Sequence, residues 1–242
     1  VPVTYAGLSA GDIDVFLGNW MPTMEGDIAK YTADGSVETL RTNLEGAKYT
    51  LAVSSSLADK GLTDFAKIAE FKDELDGKIY GIEPGNDGNR LLLDMIAQEK
   101  FGLGTFEIVE SSEQGMLAQV ARADAAGQPV VFLGWEPHPM NSQFQLTYLT
   151  GGDEVFGPNL GGAEVLTATR AGLSAECPNL GRFLANLTAE QRAQLPANAI
   201  PQINLNTSDL NARAQVRSDD TDGDFAYQAM AGLAFPVRAV PG

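Results

Sequence analysis

The chain has 242 residues, of which 44% are hydrophobic and 20% are charged, as in a globular protein with one domain or two small lobes. Thirty-two Asp and Glu residues against 16 Lys and Arg residues give a formal net charge of -16. Such an acidic chain repels phosphate backbones and anionic lipid, so nucleic acid and membrane surfaces are not expected partners.

The N-terminal residues Val1-Pro2-Val3-Thr4-Tyr5 read as a strand, and this abrupt start suggests that a leader or more has been removed. The remaining sequence has no signal peptide layout and no run of about 18 apolar residues, so no direct membrane insertion is expected. Its single cysteine, Cys177, cannot form an internal disulfide and is interpreted as a small packing residue.

Strand-like runs alternate with helical stretches, which predicts an α/β fold with largely parallel sheets. The predicted strands span residues 13–18, 49–55, 78–83, 106–110, 129–134, 144–149 and 163–169.

Three helices are predicted in the middle of the chain. The first spans Leu62 to Leu75, with one apolar face and a stop at Gly77. The second begins at a cap, Asn86 or Asp87. The third runs from Met116 to Ala126 behind the sequence Ser-Ser-Glu-Gln at 111–114, which reads as a capping box.

The order of the predicted strands and helices along the chain predicts two lobes. Residues 1–43 and 155–242 form lobe one, and residues 44–154 form lobe two. The strands at Tyr49–Ser55 and Gln145–Thr150 cross between them as a hinge. From about residue 195 the chain is rich in Pro, Asn and Asp, so part of the tail is expected to be irregular.

The two tryptophans follow strands in nearly the same context, an apolar run, then Gly, an indole and Pro, at 15–22 and 131–137. Ligands bind at the carboxyl ends of strands in open α/β sheets, so Trp20 and Trp135 are predicted to face a shared cleft from separate lobes. Aromatic faces attract quaternary ammonium groups, which have no N–H to donate. Two buried core tryptophans remain the alternative interpretation.

Two further residues are weaker candidates on local sequence alone. Tyr49 opens a predicted crossover strand, where it could reach the cleft, although its local sequence favours an ordinary strand aromatic. Asn86 lies in a Gly-rich turn before a helix, where it could orient a ligand hydroxyl or carboxylate, or simply cap the helix. The turn lacks the spacings of nucleotide phosphate loops.

The sequence gives little indication that the protein is an enzyme. His138 is the only histidine and is interpreted as a surface loop residue, although with Glu136 nearby it could act as an acid or base. Cys177 and His138 show no local sign of an activated nucleophile. The chain has no GxSxG, HExxH or CxxC motif, so neither catalysis, a metal nor a cofactor is predicted.

Three long segments, Asp12–Met24, Gly77–Arg90 and Glu110–Ala123, carry a family resemblance that extends from Val1 to about Leu184. Over this range the chain resembles the periplasmic choline-binding proteins of ABC transporters, within the glycine betaine/choline substrate-binding family. The resemblance implies the type II periplasmic binding protein fold, in which two α/β lobes joined by two crossover strands close on the ligand.

Matching positions place Trp20, Tyr49 and Trp135 in the family's aromatic box around the trimethylammonium group, and Asn86 at the ligand's hydroxyl end. The resemblance also implies a small-molecule ligand such as choline, a periplasmic location, an ABC transporter permease as partner, and no cofactor.

The chain departs from the family at both ends. Family members carry a segment before the equivalent of Val1 that supplies another box tryptophan, an aspartate and a cysteine that pairs with the equivalent of Cys177. Lobe one is therefore expected to be incomplete. The tail could take the place of this missing segment in the sheet. Phe225, Tyr227 and an aspartate, Asp222 or Asp224, would then replace its ligand-binding groups. Otherwise binding would be weak or absent, or the open sheet edge would pair with another chain.

Three alternatives to a choline receptor stay open. One is a glycine betaine or proline betaine receptor, with Arg90 and the backbone N–H groups near Asn86 binding the ligand carboxylate. Another is a binding-impaired remnant with only an interaction or structural role. The third is an enzyme that acts on choline with Glu136 and His138.

Overall fold

The protein is described by a computed structural model that covers residues 1–186 and Ala234–Phe235. Helices and strands alternate along the chain, so the predicted α/β class is confirmed. The α-helices are α1 (Pro2–Ala10), α2 (Glu25–Ala33), α3 (Ser55–Asp59), α4 (Asp87–Ala97), α5 (Glu113–Ala126), α6 (Met140–Gln143), α7 (Asp153–Phe156), α8 (Pro158–Gly161), α9 (Leu173–Glu176) and α10 (Pro178–Asn186). The strands are β1 (Val15–Met21), β2 (Val37–Ser54), β3 (Lys78–Tyr80), β4 (Glu107–Val109), β5 (Val131–Glu136), β6 (Leu146–Tyr148), β7 (Gly162–Arg170) and β8 (Ala234–Phe235). Two 3-10 helices span Phe65–Phe71 and Lys100–Thr105.

The described residues divide into two compact units. Unit 1 comprises Val1, Pro22–Gly26 and Gly46–Ala163, and unit 2 comprises Pro2–Met21, Asp27–Glu45 and the described residues from Glu164 onward. Strand β2 begins in unit 2 and ends in unit 1, and β7 passes from unit 1 to unit 2. Strand β6, at the second predicted crossover, lies inside unit 1.

Unit 1 contains a mixed sheet. Strand β3 lies parallel to both β4 and β5, whereas β5 and β6 each run antiparallel to β2. The prediction of largely parallel sheets is therefore wrong for this region. An apolar run such as Val131–Leu133, with all three residues fully buried, indicates burial of both strand faces but does not specify strand direction.

Unit 2 has the strand order β2-β7-β1-β8, with β1 antiparallel to β7 and to β8. Between Phe16 and Asn19 strand β1 advances three residues, while its partner β7 advances two, from Ala168 to Leu166. Strand β1 therefore contains a β-bulge of one extra residue. The carbonyl of Leu17, inside the bulge, accepts a hydrogen bond from Asn43 Nδ2 at 3.1 Å.

A small apolar cluster and an ion-pair network stabilise unit 2. Val15, Leu173 and Leu184 form the buried centre of the cluster. The Arg170 guanidinium bonds the carboxylate of Asp14 at 2.5 Å and that of Glu176 at 2.6 Å. Because Arg170 is well covered, these charge-assisted bonds fix α9 against the end of β7.

Two local predictions are wrong for identifiable reasons. Residues 1–5, predicted as strand, enter helix α1, where Pro2 stands at the first helical position and Tyr5 and Leu8 are buried one turn apart. The helix predicted from 62 to 75 is a 3-10 helix at Phe65–Phe71. Its buried residues, Phe65 and Ile68, are three positions apart, a spacing that fits three residues per turn as well as 3.6.

The other two helices begin near their predicted caps. Asn86 caps α4 by accepting the N–H groups of Gly88 and Asn89, as predicted. Ser112 caps α5 by accepting the N–H of Gly115 at 3.0 Å. A capping box also needs Glu or Gln three residues after the cap. That position is Gly115, so only half of the predicted box exists.

The tail contributes a short strand. Ala234 and Phe235 pair with Phe16 and Val15 of β1. The residues predicted to complete the site from the tail lie outside the described residues: Asp222, Asp224, Phe225 and Tyr227.

Across residues 1–186 and 234–235, no helix is both long enough and apolar enough to span a bilayer.

Candidate functional site

Both tryptophans lie in the last residues of their strands rather than beyond them. Strand β1 ends at Met21, directly before Pro22, and β5 ends at Glu136, directly before Pro137. The prolines end the strands because they have no N–H for the ladder. Trp20 belongs to unit 2 and Trp135 to unit 1, and each is 8% exposed.

An aromatic cluster surrounds Tyr49 in unit 1. Tyr49 and Trp135 are direct cross-strand partners of β2 and β5, which places their side chains on one face of the sheet. Their ring centroids are 6.2 Å apart, edge to face. Phe156, which is fully buried, lies on another side of Tyr49, at 6.1 Å and also edge to face. Such pairs fix ring orientation.

The first turn of α4 holds the Tyr49 hydroxyl in place. The hydroxyl donates to Asn86 Oδ1 at 2.7 Å, and the same oxygen accepts the N–H of Gly88 at 2.8 Å. A Cβ at Gly88 would lie 2.1 Å from the Tyr49 oxygen, so only glycine allows this approach. Among the described residues, no partner accepts a hydrogen bond from Asn86 Nδ2. This amide can therefore donate to a ligand.

Burial and nearby carboxylates keep Tyr49 neutral. Desolvation raises the pKa of Tyr49 well above its ordinary value, and the negative charges of Asp87 and Glu83 raise it further. The Asp87 carboxylate is itself buried, at 1% exposure, in the first turn of α4, where the helix dipole favours negative charge. Two carboxylates therefore lie close enough to act on this side of the aromatic cluster.

The loop that carries Asn86 is fixed by a buried amide. Asn89, 1% exposed, accepts the N–H of Ile82 at 3.0 Å and donates to the Ile82 carbonyl, the Glu83 carbonyl and Glu110 Oε1. The position of Asn86 is therefore set by a polar network inside unit 1. The sequence singled out neither Asn89 nor Phe156, because both roles depend on contacts distant in the chain.

His138 is not the surface loop residue that the sequence suggested. Its side chain is 8% exposed, and its ring centroid lies 4.8 Å from that of Trp135. The sequence carried one indication of this contact. His138 follows Trp135 by three residues with Pro137 between them, and a turn at Pro137 brings the two rings together.

Arg90, the predicted carboxylate ligand of the betaine alternative, binds the backbone. Its Nη2 donates to the carbonyl of Thr23 at 3.1 Å, and its guanidinium lies 3.6–3.8 Å from where a Cβ at Gly26 would stand. Within unit 1, Arg90 therefore holds the segment that follows β1.

Contacts within unit 2 hold the strand around Trp20 in place. It pairs across the ladder with Val165 of β7. The neighbouring Asn19, fully buried, accepts a hydrogen bond from the Tyr5 hydroxyl at 2.7 Å. Helix α1 is thereby bonded to β1 next to the indole.

No group of three or more His, Cys, Asp and Glu side chains that could hold a metal ion occurs in the described part of the chain. Cys177 is a half-buried free thiol. A polar cavity of about 320 Å³ in unit 1 is lined by residues that include Glu74, Lys78 and Gln119. None of the four predicted site residues lines that cavity.

The fold is that of the periplasmic binding proteins, and comparison with known proteins gives the family. Residues 1–217 match the family described as the substrate binding domain of ABC-type glycine betaine transport systems. The chain belongs to this family.

Solved structures include close relatives. An ABC-transporter choline-binding protein in complex with choline is 67% identical, with a TM-score of 0.76 over 77% of this chain and 65% of that one. A choline-binding protein in an unliganded semi-closed conformation is 54% identical, with a TM-score of 0.74 over 96% of this chain and 86% of that one. Lactococcal OpuAC, complexed with glycine betaine, shares the fold at 21% identity and a TM-score of 0.71, over 95% of this chain and 80% of that one.

A protein of Chromohalobacter salexigens described as uncharacterized protein ORF1 is 53% identical over 91 residues. The match covers 38% of this chain and 59% of that protein. The chain thus spans less than two thirds of the length of this relative and of the choline complex.

Proposed function

We propose that the chain is the substrate-binding component of an ABC importer and captures choline, or a related quaternary ammonium compound, in an aromatic box that contains Trp20, Tyr49 and Trp135. The observation that carries the proposal is the fixed Tyr49–Trp135 pair beside the Asn86 amide. The 67% identity to a protein in complex with choline supports the same ligand.

The chemistry of the cluster fits a methylated cation. A quaternary ammonium cannot donate hydrogen bonds, whereas ring faces attract it by about 0.5–1 kcal/mol each when exposed and about 2 kcal/mol or more when dry. The neutral Tyr49 and the indole of Trp135 offer such faces. The free Nδ2 of Asn86 lies at the hydroxyl end of Tyr49, where it can donate to the hydroxyl oxygen of choline.

Charge favours choline over a betaine. The carboxylates of Asp87 and Glu83 act on Tyr49 from nearby, so they attract a cation and repel a ligand carboxylate. Arg90, which a betaine would need, is bonded to the Thr23 carbonyl.

A glycine betaine receptor is the second candidate, because the family is described by glycine betaine transport. Competition calorimetry separates the two ligands. Displacement of bound choline by equimolar glycine betaine would favour the second candidate, and retention of choline would favour the first.

The role in transport follows from the same proposal. Residues 44–154 and the discontinuous lobe formed by 1–43 and 155–242 close on the ligand and exclude water, which strengthens each cation–ring contact. The closed form delivers its ligand to the permease in the periplasm, and no reaction accompanies binding.

The test is calorimetric titration with choline. We expect Trp135→Ala and Trp20→Ala each to weaken binding at least about tenfold, equivalent to about 1.4 kcal/mol. Phe183→Ala is the matched control, because Phe183 is an exposed aromatic on α10, and it should bind as the unsubstituted protein does.

An unchanged titration in a tryptophan variant would remove that indole from the site. Absence of binding by the unsubstituted protein at millimolar choline would contradict the function itself.

A further inference from the structure

The ring of His138 packs directly on Trp135 within unit 1. The centroids are 4.8 Å apart at an interplanar angle of 58°. Asn141 Nδ2 donates to the carbonyls of both Trp135 and His138 at 2.9 Å, and Asn141 Oδ1 accepts the Tyr148 hydroxyl at 2.8 Å. The turn from Trp135 to His138 is therefore held as one unit, and the indole packs against both the imidazole and the Tyr49 ring.

Hydrogen bonds define the proton position on this ring. His138 Nδ1 accepts the backbone N–H of Met140 at 3.1 Å, so the neutral ring carries its proton on Nε2. From there it donates to Glu113 Oε1 at 3.2 Å. Glu113 opens α5, and its own N–H donates to Glu83 Oε1 at 3.0 Å. A second proton, on Nδ1, would face the Met140 N–H, donor against donor.

We infer that His138 is a positioning residue for Trp135: its ring, oriented by Glu113 and the Met140 N–H, holds the indole in the orientation that binds a quaternary ammonium. The inference rests on the proposed function and adds a residue that acts through Trp135 without touching the ligand.

The packing predicts which substitutions matter. The His138 ring lies 4.8 Å from Trp135 and is held by Glu113 and the Met140 N–H, so an aromatic ring at position 138 keeps the indole in place and a methyl group does not.

The first experiment needs no ligand. Trp20→Phe leaves Trp135 as the only tryptophan of the chain, so the emission of this variant reports the surroundings of Trp135. We expect the emission maximum to shift when His138→Ala is added, because the indole loses a packed ring. It should stay unchanged when Glu70→Gln is added, because Glu70 is exposed.

The second experiment measures choline binding by calorimetry. His138→Phe keeps an aromatic ring beside Trp135, so it should bind about as tightly as the unsubstituted protein. His138→Ala removes the ring and should bind at least about threefold more weakly.

Glu113→Gln keeps an amide oxygen that accepts from Nε2, so it should retain most of the affinity, whereas Glu113→Ala removes the acceptor and should weaken binding. Equal binding by His138→Ala and the unsubstituted protein, or equal losses in His138→Phe and His138→Ala, would overturn the inference. Failure of choline to bind would instead refute the proposed function, and the emission of the Trp20→Phe variants would still decide whether His138 acts on Trp135.

Discussion

One hydroxyl group, that of Tyr49, connects the strand that carries the aromatic cluster to the helix that carries Asn86. It donates to Asn86 Oδ1 and lies so close to Gly88 that a side chain there would collide with it. Tyr49 was predicted from the family resemblance, whereas its local sequence favoured an ordinary strand aromatic. The contacts that distinguish it join positions 37 or more residues apart, which no local pattern encodes.

Buried tyrosines make the stability of this protein sensitive to alkaline pH. Burial is the main cause that raises the pKa of Tyr49 and of Tyr148, with Asp87 and Glu136 as further causes. The folded protein keeps these phenol protons at a pH where the unfolded chain, with an ordinary value of about 10, releases them. This contribution to stability is present in full below about pH 10 and is lost as the pH rises further.

We therefore expect the free energy of unfolding of Tyr49→Phe to fall less steeply above about pH 10 than that of the unsubstituted protein. Tyr148→Phe should show the same change, and the double variant should show both. Urea denaturation at a series of pH values measures these slopes. Parallel curves for all four proteins would show that neither phenol contributes.

At the scale of elements, the sequence predicted where strands and helices occur better than how they pair. Seven predicted strands overlap β1 to β7, but β2 extends back to Val37 and the sheets are mixed. Strand direction depends on which distant segments pair, and alternation along one segment carries no such information. Helix caps were more predictable, because Asn86 and Ser112 act within three residues of their own positions.

The two caps differ in the number of hydrogen bonds they satisfy. Asn86 Oδ1 accepts from Gly88, Asn89 and the Tyr49 hydroxyl, whereas Ser112 Oγ accepts from Gly115 alone among the described residues. Loss of a cap costs about 1 kcal/mol, and a buried hydroxyl that loses its acceptor costs about 1–3 kcal/mol more.

Asn86→Ala should therefore lower the free energy of unfolding by about 2 kcal/mol or more, and Ser112→Ala by about 1 kcal/mol. Asn86→Asp keeps an acceptor oxygen at the cap and should retain most of the stability. Denaturant unfolding at neutral pH compares the three variants. Equal losses in the two alanine variants would mean that the Tyr49 bond adds nothing.

For the molecule as a whole, charge is the property that the sequence defines most directly. A formal net charge of -16 produces self-repulsion that opposes the compact state. The family and the α/β class were also predictable, because three long segments carry the resemblance, and the family match extends over residues 1–217. The lobe boundaries and the grouping of Trp20 with Trp135 remain predictions.

Added salt should therefore stabilise this protein. An increase from about 0.01 M to about 0.15 M sodium chloride shortens the Debye length from about 30 Å to about 8 Å, which screens the repulsion between carboxylates. We expect the melting temperature in the absence of ligand to rise by several degrees, as measured by circular dichroism. A fall would mean that ion pairs such as that of Arg170 with Asp14 outweigh the general repulsion.

The bulge in β1 decides which way the indole of Trp20 points. Side chains alternate along a strand, so without a bulge Phe16 and Trp20 would share a face. The additional residue between Phe16 and Asn19 instead leaves Phe16 and Asn19 on one face, where both contact Tyr5, and turns Trp20 to the other. The orientation of this ring therefore depends on how β1 and β7 pair, as well as on the residues that β1 contains.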